Sequence, residues 1–254
     1  MYNSRNDLGV EMVELLILGT SVGFISGFFG IGGGTVLIPI LLMLGFATKE
    51  AIGISSVVMV FSSVFGSYIN HKKGNLDVKM LVTIGSGGFV GALFSGYFAS
   101  LLSAKSLELV FLVFAVFALM RMFFKVKDLK QKKDIHPLKL FTVGLILGGI
   151  SMTIGVGGSI LLVPILVGFW HVELKQAISA GLFFVVFSSL SGMISHALVG
   201  HVDFEKGIYI GLASLLGVYA GIHFKDKVES ALQKKLLLVF YAMIVTYLTY
   251  RIFT

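Results

Sequence analysis

Long apolar runs broken by short polar segments set the pattern of this chain. Residues 15–29 form the first run, which ends in the glycine cluster Gly30, Gly32, Gly33 and Gly34. A shorter apolar piece follows at 35–46, with Pro39 inside it. Residues 51–70 reach the roughly 18–20 apolar residues that a bilayer crossing needs. The polar segment HKKGNLDVK covers 71–79, and runs at 81–102 and 107–124 complete a first half. The basic stretch KVKDLKQKKDIHPLK, residues 125–139, reads as a linker. The pattern predicts an all-α, polytopic membrane protein.

The second half repeats the first. GFISGFFGIGGGTVLIPIL (23–41) aligns with GGISMTIGVGGSILLVPIL (148–166) at a shift of 125. Gly23, Ser26, Gly30, Gly32, Gly33 and Pro39 then meet Gly148, Ser151, Gly155, Gly157, Gly158 and Pro164. After a slip of one residue, Ser62, Ser63 and Gly66 meet Ser188, Ser189 and Gly192, and Gly74 and Asp77 meet Gly200 and Asp203. Gly85 and Gly91 likewise meet Gly211 and Gly217, while His71 and His196 coincide at the unslipped shift. An ordered series of glycine, proline and serine matches is the mark of duplication. The boundaries expected are 1–124 for a first repeat, 125–139 for a cytoplasmic linker and 140–254 for a second repeat.

Charge fixes an expected topology. If 35–46 returns to the side from which the preceding run entered, each half crosses three times; if both pieces cross fully, five times. Either count is odd, so the halves are expected to be inverted repeats. With the linker inside, 15 of the 20 Lys and Arg fall on the cytoplasmic side and five outside, as positive-inside sorting requires. Both termini are then expected outside, in a multi-pass protein of the inner (plasma) membrane.

Composition supports this reading and narrows it. Of the 254 residues, 56% are apolar and 13% charged, about half the charged share of a soluble domain. The net charge of +7 sits in short loops, so no nucleic acid is expected as a partner. With no cysteine, disulfides and thiolate metal sites are excluded. Residues 1–14 are polar and slightly acidic, and no cleavable leader is expected.

The glycine clusters carry the candidate chemistry. Glycine reaches backbone angles closed to other residues, and proline removes a donor from a helix. Each knot followed by a proline therefore predicts interrupted helix at membrane depth, re-entrant or broken. Paired interruptions in two inverted halves point to a midplane binding site. A helix starting just after the glycines aims free N–H groups and its positive dipole end at that site, which suits an anion. The candidate substrate-binding residues are Gly30, Gly32, Gly33, Gly34, Thr35, Ser62 and Ser63, with Gly155, Gly157, Gly158, Ser159, Ser188 and Ser189. Ser26, Ser55, Ser56, Ser151, Thr153 and Ser191 are further hydroxyls nearby. The competing reading is that the glycines serve close helix packing and the serines bond their own helices.

His71 and His196 are proton-coupling candidates, or ordinary helix-end histidines. Arg121 is expected to snorkel to the membrane surface and His171, beside Trp170, to anchor at the interface. No spacing suggests a catalytic triad, a metal centre or a cofactor, so an enzyme is not expected.

GFFGIGGGTVLIPIL and GVGGSILLVPIL resemble the TauE/SafE family of sulfite-exporter-like permeases. The resemblance covers length, duplication, linker and both knots. It implies transport of a small sulfur-containing anion such as sulfite, sulfoacetate or another organosulfonate. The expected partners are that small anionic substrate and the lipid bilayer, with a homo-oligomer left open. The function expected is a secondary transporter working by alternating access. An anion channel and a non-transporting membrane assembly protein are the alternatives.

Overall fold

The computed structural model describes residues 4–72, 78–123 and 136–253. Among them every regular element is a helix: α1 (Ser4–Phe29), α2 (Gly34–Met43), α3 (Thr48–Lys72), α4 (Val78–Ala92), α5 (Ser95–Leu101) and α6 (Ala104–Phe123) in the first half. The second half has α7 (Pro137–Thr153), α8 (Ser159–Phe169), α9 (Leu174–Leu198), α10 (Phe204–Lys227) and α11 (Ser230–Phe253). Helix α7 begins three residues before the expected repeat boundary, with Pro137 at its start and the His136 side chain accepting from Leu138 N–H. Proline is suited to that first helical position because its missing N–H would be unpaired anyway. Most of the expected linker lies outside the described residues. So do residues 73–77, which include Gly74 and Asp77 of the repeat.

Among the described residues, six helical stretches are long and apolar enough to cross a membrane: α3, residues 80–101 (α4 with α5), α6, α9, α10 and α11. Many outward side chains are bare apolar groups, Leu101, Phe123, Leu216 and Phe253 among them. Such a surface is unsuited to water and suited to lipid. The protein is an all-α, polytopic membrane protein.

The contacts between helices keep the same pattern when the two halves are exchanged. Helix α1 packs on α10, and its counterpart α7 packs on α4. Helix α3 packs on α10 and on its own counterpart α9; α9 packs on α4; α6 packs on its counterpart α11. Counterparts run antiparallel. The end of α3 meets the start of α9, where Ser179 donates to Asn70. The start of α6 meets the end of α11, where Arg251 Nε lies 3.2 Å from Glu108 Oε2.

Glycine makes the tightest of these interfaces. A Cβ on Gly23 would overlap the carbonyl of Ser214, and one on Gly217 or Gly221 would overlap the carbonyls of Thr20 or Phe24. The α4–α7 pair repeats this: Gly87, Gly91, Gly144 and Gly148 each face backbone of the other helix. Backbones approach this closely only where side chains are missing. Both locks join opposite halves of the chain, so the two halves are interleaved.

The bundle has two polar ends. At one, Lys206 lies 3.5 Å from Glu50 Oε1, Lys49 donates to Ser100 O, and Arg251 pairs with Glu108. At the other, Lys225 and Lys175 meet the end of α3 and the start of α9, and Arg121 meets the end of α8. These are the groupings that charge sorting assigned to opposite faces.

Candidate functional site

The ends show where the interrupted segments go. Helix α1 runs parallel to α10, with Gly19 against Ile210 and Gly27 against Val218. It therefore starts toward the Lys206 end and points away from it. Helix α2 comes back: Leu42 O, at its C-terminus, accepts from Arg251 NH1 at 3.1 Å. So α1 and α2 form a hairpin that returns to its own side. Helices α7 and α8 form a second hairpin from the opposite end, since Gly168 O near the end of α8 accepts from Arg121. Arg121 also lies over the Phe169 ring, 4.5 Å from its centroid. The guanidinium is thus a C-terminal cap for α8 at the polar end of the bundle. Cations suit helix C-termini.

The two hairpin tips are the glycine knots, and they meet inside the bundle. A Cβ on Gly34 would overlap Gly155 O, and Cβ atoms on Gly34 and Gly157 would each lie 2.8 Å from Met59 Sδ. Gly32 and Gly157 both face Val185. Met59 and Val185 correspond under the repeat, are fully buried, and fill the space between the tips. Neither was among the sequence candidates, because a methionine in an apolar run carries no polar signal.

Two pairs of the aligned glycines share a backbone conformation. Gly30 and Gly155 have φ of +67° and +73°, and Gly32 and Gly157 have +66° and +72°. The third pair differs: Gly158 has φ +87°, whereas Gly33 has φ −57° and already follows the helix. At α2 the first N–H groups to bond back are those of Val36 and Leu37, both to Gly33 O; at α8 they are those of Leu161 and Leu162, both to Gly158 O. The N–H groups before them are the unpaired first turn of each helix.

The serines divide. Ser188 donates to Gly157 O at 2.8 Å and Ser55 to Gly155 O at 2.9 Å, so these hydroxyls brace the second knot. Thr35 spans the first knot, donating to Ile31 O at 3.2 Å. Ser62 and Ser63 donate to carbonyls of their own helix, although Ser62 Oγ is also 3.7 Å from where a Gly33 Cβ would lie. Ser26, Ser151, Ser159 and Ser189 are fully buried, and their hydroxyls have no hydrogen-bond partner. Buried polar groups are almost always satisfied, which sets these four hydroxyls apart from the braced ones.

The histidines separate as well. His71 is exposed at the end of α3. His196 is fully buried, with Nε2 2.9 Å from Met152 O and Nδ1 3.4 Å from His201 Nδ1. Met152 O also accepts from Gly155 N–H, so His196 touches the second knot through one carbonyl. Burial and the Lys49 ammonium hold the His201 imidazole below its usual range. His171 sits after Trp170 with a positive φ of 57°.

Other polar groups anchor the hairpins. Gln233 donates to Phe28 O just before the first knot, and Thr48 donates to Glu108 at 2.8 Å beside Arg251. Around the knots the neighbours are Val22, Ile38, Ile52, Val58, Met59, Ile178, Phe184, Val185 and Ser62. Two half-helices thus point their N-termini into an apolar, hydroxyl-lined centre while arginines cap their outer ends.

Paired hairpins meet tip to tip inside a membrane-spanning helical bundle, and the relatives of this chain are described as membrane transporters. The chain belongs to the family described as sulfite exporter TauE/SafE, whose model matches residues 15–248. A Haemophilus influenzae protein described as a probable membrane transporter is 30% identical over 239 residues, covering 87% of this chain and 88% of the relative. The Bacillus subtilis probable membrane transporter YunE is 25% identical over 258 residues, covering 89% and 90%. No solved structure matches.

Proposed function

We propose that this protein is a secondary permease for a small anion, a sulfur-containing oxyanion or organosulfonate of the sulfite or sulfoacetate kind, in the inner membrane. The observation that carries this is the pair of knots. Two helix N-termini converge on one apolar space with orphaned hydroxyls beside it and no carboxylate among the side chains that face the glycines. In such surroundings a dipole end acts more strongly than in water. Membership of the sulfite exporter family supports the sulfur chemistry.

The antiparallel counterparts support halves of opposite membrane orientation, with the charge-sorted ends as the two faces. The locked α1–α10 and α4–α7 pairs leave little freedom for one half to rock on the other. Motion instead falls to the α2 and α8 arms, which pack on α3 and α9 of the core and meet α11 and α6 outside it. Met59 and Val185 close the centre, which favours alternating access over an open channel. Proton coupling enters through His196, because a change at its ring reaches Met152 O and the second knot. His71 lies too far out for that role.

The test is thermal unfolding of the purified protein in detergent with sulfite, sulfate, thiosulfate and sulfoacetate, followed by counterflow in liposomes. A saturable stabilisation and counterflow with at least one of these anions is expected. Failure of every anion to stabilise or exchange would overturn the reading.

A further inference from the structure

The turn that ends α9 folds one histidine back onto another. Gly200, with φ +73°, donates to Ala197 O, and His201 N–H then bonds His196 O at 3.0 Å. A Cβ on Gly53 would overlap His201 O, so the turn is seated against α3. The two rings meet at their Nδ1 atoms, 3.4 Å apart. His201 is half-buried and His196 fully buried.

The carbonyl of Met152 fixes how the hydrogens stand. A carbonyl only accepts, so His196 Nε2, 2.9 Å from it, carries hydrogen. A neutral His196 ring then presents a bare Nδ1, and the hydrogen of the shared contact belongs to His201 Nδ1. His201 Nε2 is left as the basic atom of the pair. A proton bound there allows the His201 Nδ1 hydrogen to pass to His196 Nδ1. One N–H bond forms at His201 Nε2, one breaks at His201 Nδ1 and one forms at His196 Nδ1, so the charge moves to the buried ring.

That ring stands one carbonyl from the second knot. Met152 O also accepts from Gly155 N–H at 3.1 Å, and the Met152 side chain packs in one buried cluster with Met59 and Val185. The charges nearby do not neutralise the pair. Lys49, from the start of α3, acts on His201 and with burial opposes its protonation. Asp203 and Glu50 are engaged by Lys206, and α5 and α7 meet His196 through backbone, at Gly96 and Met152. The pair alone therefore holds a proton poorly. An anion in the knot supplies the missing counter-charge, and binding linkage is reciprocal.

We propose that His201 and His196 are the proton site of this carrier, a relay that takes up one proton from the Lys206 end of the bundle for each anion that enters the second knot. His201 is the port and His196 the buried ring that answers to the anion. This rests on the anion-permease reading above.

The experiment titrates sulfoacetate, both acid groups of which are ionised above about pH 6, into purified protein in detergent. Wild type, His201→Gln, His196→Gln and the exposed His71→Gln are compared. Calorimetry in two buffers of different ionisation heat counts the protons bound with the anion, and thermal unfolding reports the fold. In wild type one proton should be taken up with each anion, and affinity should rise by up to about tenfold per pH unit as pH falls. His71→Gln should behave in the same way. His201→Gln and His196→Gln should bind without proton uptake, with an affinity that is flat across pH. If His196→Gln fails to fold, His201→Gln decides the matter. Undiminished uptake in folded His201→Gln, or a wild type that binds sulfoacetate without a proton, would overturn the relay while leaving the knots in place. A wild type that binds no sulfoacetate overturns the relay, and the anion panel above then decides the permease reading separately.

Discussion

Two adjacent glycines of the first knot allow a controlled test of how that knot is held. Gly32 has φ +66° and its Cβ direction meets Val185 Cγ1 at 3.2 Å; Gly33 has φ −57° and meets Val22 Cγ1 at 3.2 Å. Space is therefore equal and backbone conformation is not. Alanine at either place removes similar freedom from the unfolded chain, a gain of roughly 0.4–1 kcal/mol. At Gly32 it also forces an L-residue into the left-handed region, at about 1–2 kcal/mol. The difference between Gly32→Ala and Gly33→Ala is thus that strain alone, about 1–2 kcal/mol, or roughly 2–8 °C in melting temperature for a chain of this size. Thermal unfolding of both purified variants measures it, with Gly32→Ala expected lower. Anion titration adds a second axis. A methyl at Gly33 lies near Ser62 Oγ and over the first turn of α2, so a stable Gly33→Ala protein should bind its anion about tenfold more weakly. Equal melting of the two variants, or a less stable Gly33→Ala, would refute the backbone argument; a stable Gly33→Ala with wild-type affinity would refute the site.

Gly23→Val should fail to reach a folded state at all, because its side chain would occupy the Ser214 backbone; a monodisperse, heat-stable variant would contradict the α1–α10 lock. Removing Arg251 as Arg251→Met strands Glu108 with Thr48, and since Arg251 is about a third exposed the loss should fall at or below the low end of the roughly 3–5 kcal/mol seen for buried pairs; Glu108→Gln with Arg251→Met should recover part of it in a melting assay. His201 titrates below its unfolded value, so protonation favours the unfolded chain. Stability should therefore fall as pH drops below about 6.5, and His201→Gln should flatten part of that slope in melts between pH 5 and 8. Reporter fusions at Lys132 and at the C-terminus should report opposite sides of the membrane, and matching sidedness would contradict inverted halves.

The hairpins and their tips were legible because glycine and proline punctuate an apolar chain where little else does. The ordered matches of Gly30, Gly32 and Pro39 with Gly155, Gly157 and Pro164 gave the repeat and located both knots. The conformation of Gly33 was not legible, since a glycine in sequence does not state the sign of its φ. Nor was the bracing role of Ser55 and Ser188, which depends on a carbonyl in another helix. Lys225 was read as one of many basic residues on a cytoplasmic face, and its burial shows only once α3, α9 and α10 are brought together. The partners of α1 and α7 do leave a signal in the sequence. Gly19, Gly23 and Gly27 are spaced four apart, as are Gly144 and Gly148, Gly87 and Gly91, and Gly217 and Gly221. That spacing marks one helix face for close approach, although it does not name the partner.

The α1–α10 lock also sets a timetable for synthesis. Thr20 and the Ala213 carbonyl that it bonds are 193 residues apart. At roughly 5–20 residues per second, α1 waits about 10–40 s for its partner, with its glycine face against lipid. Helix α7 does not wait, since α4 is already made when it emerges. The second hairpin can therefore seat first, and the first hairpin closes the molecule only after α10 arrives.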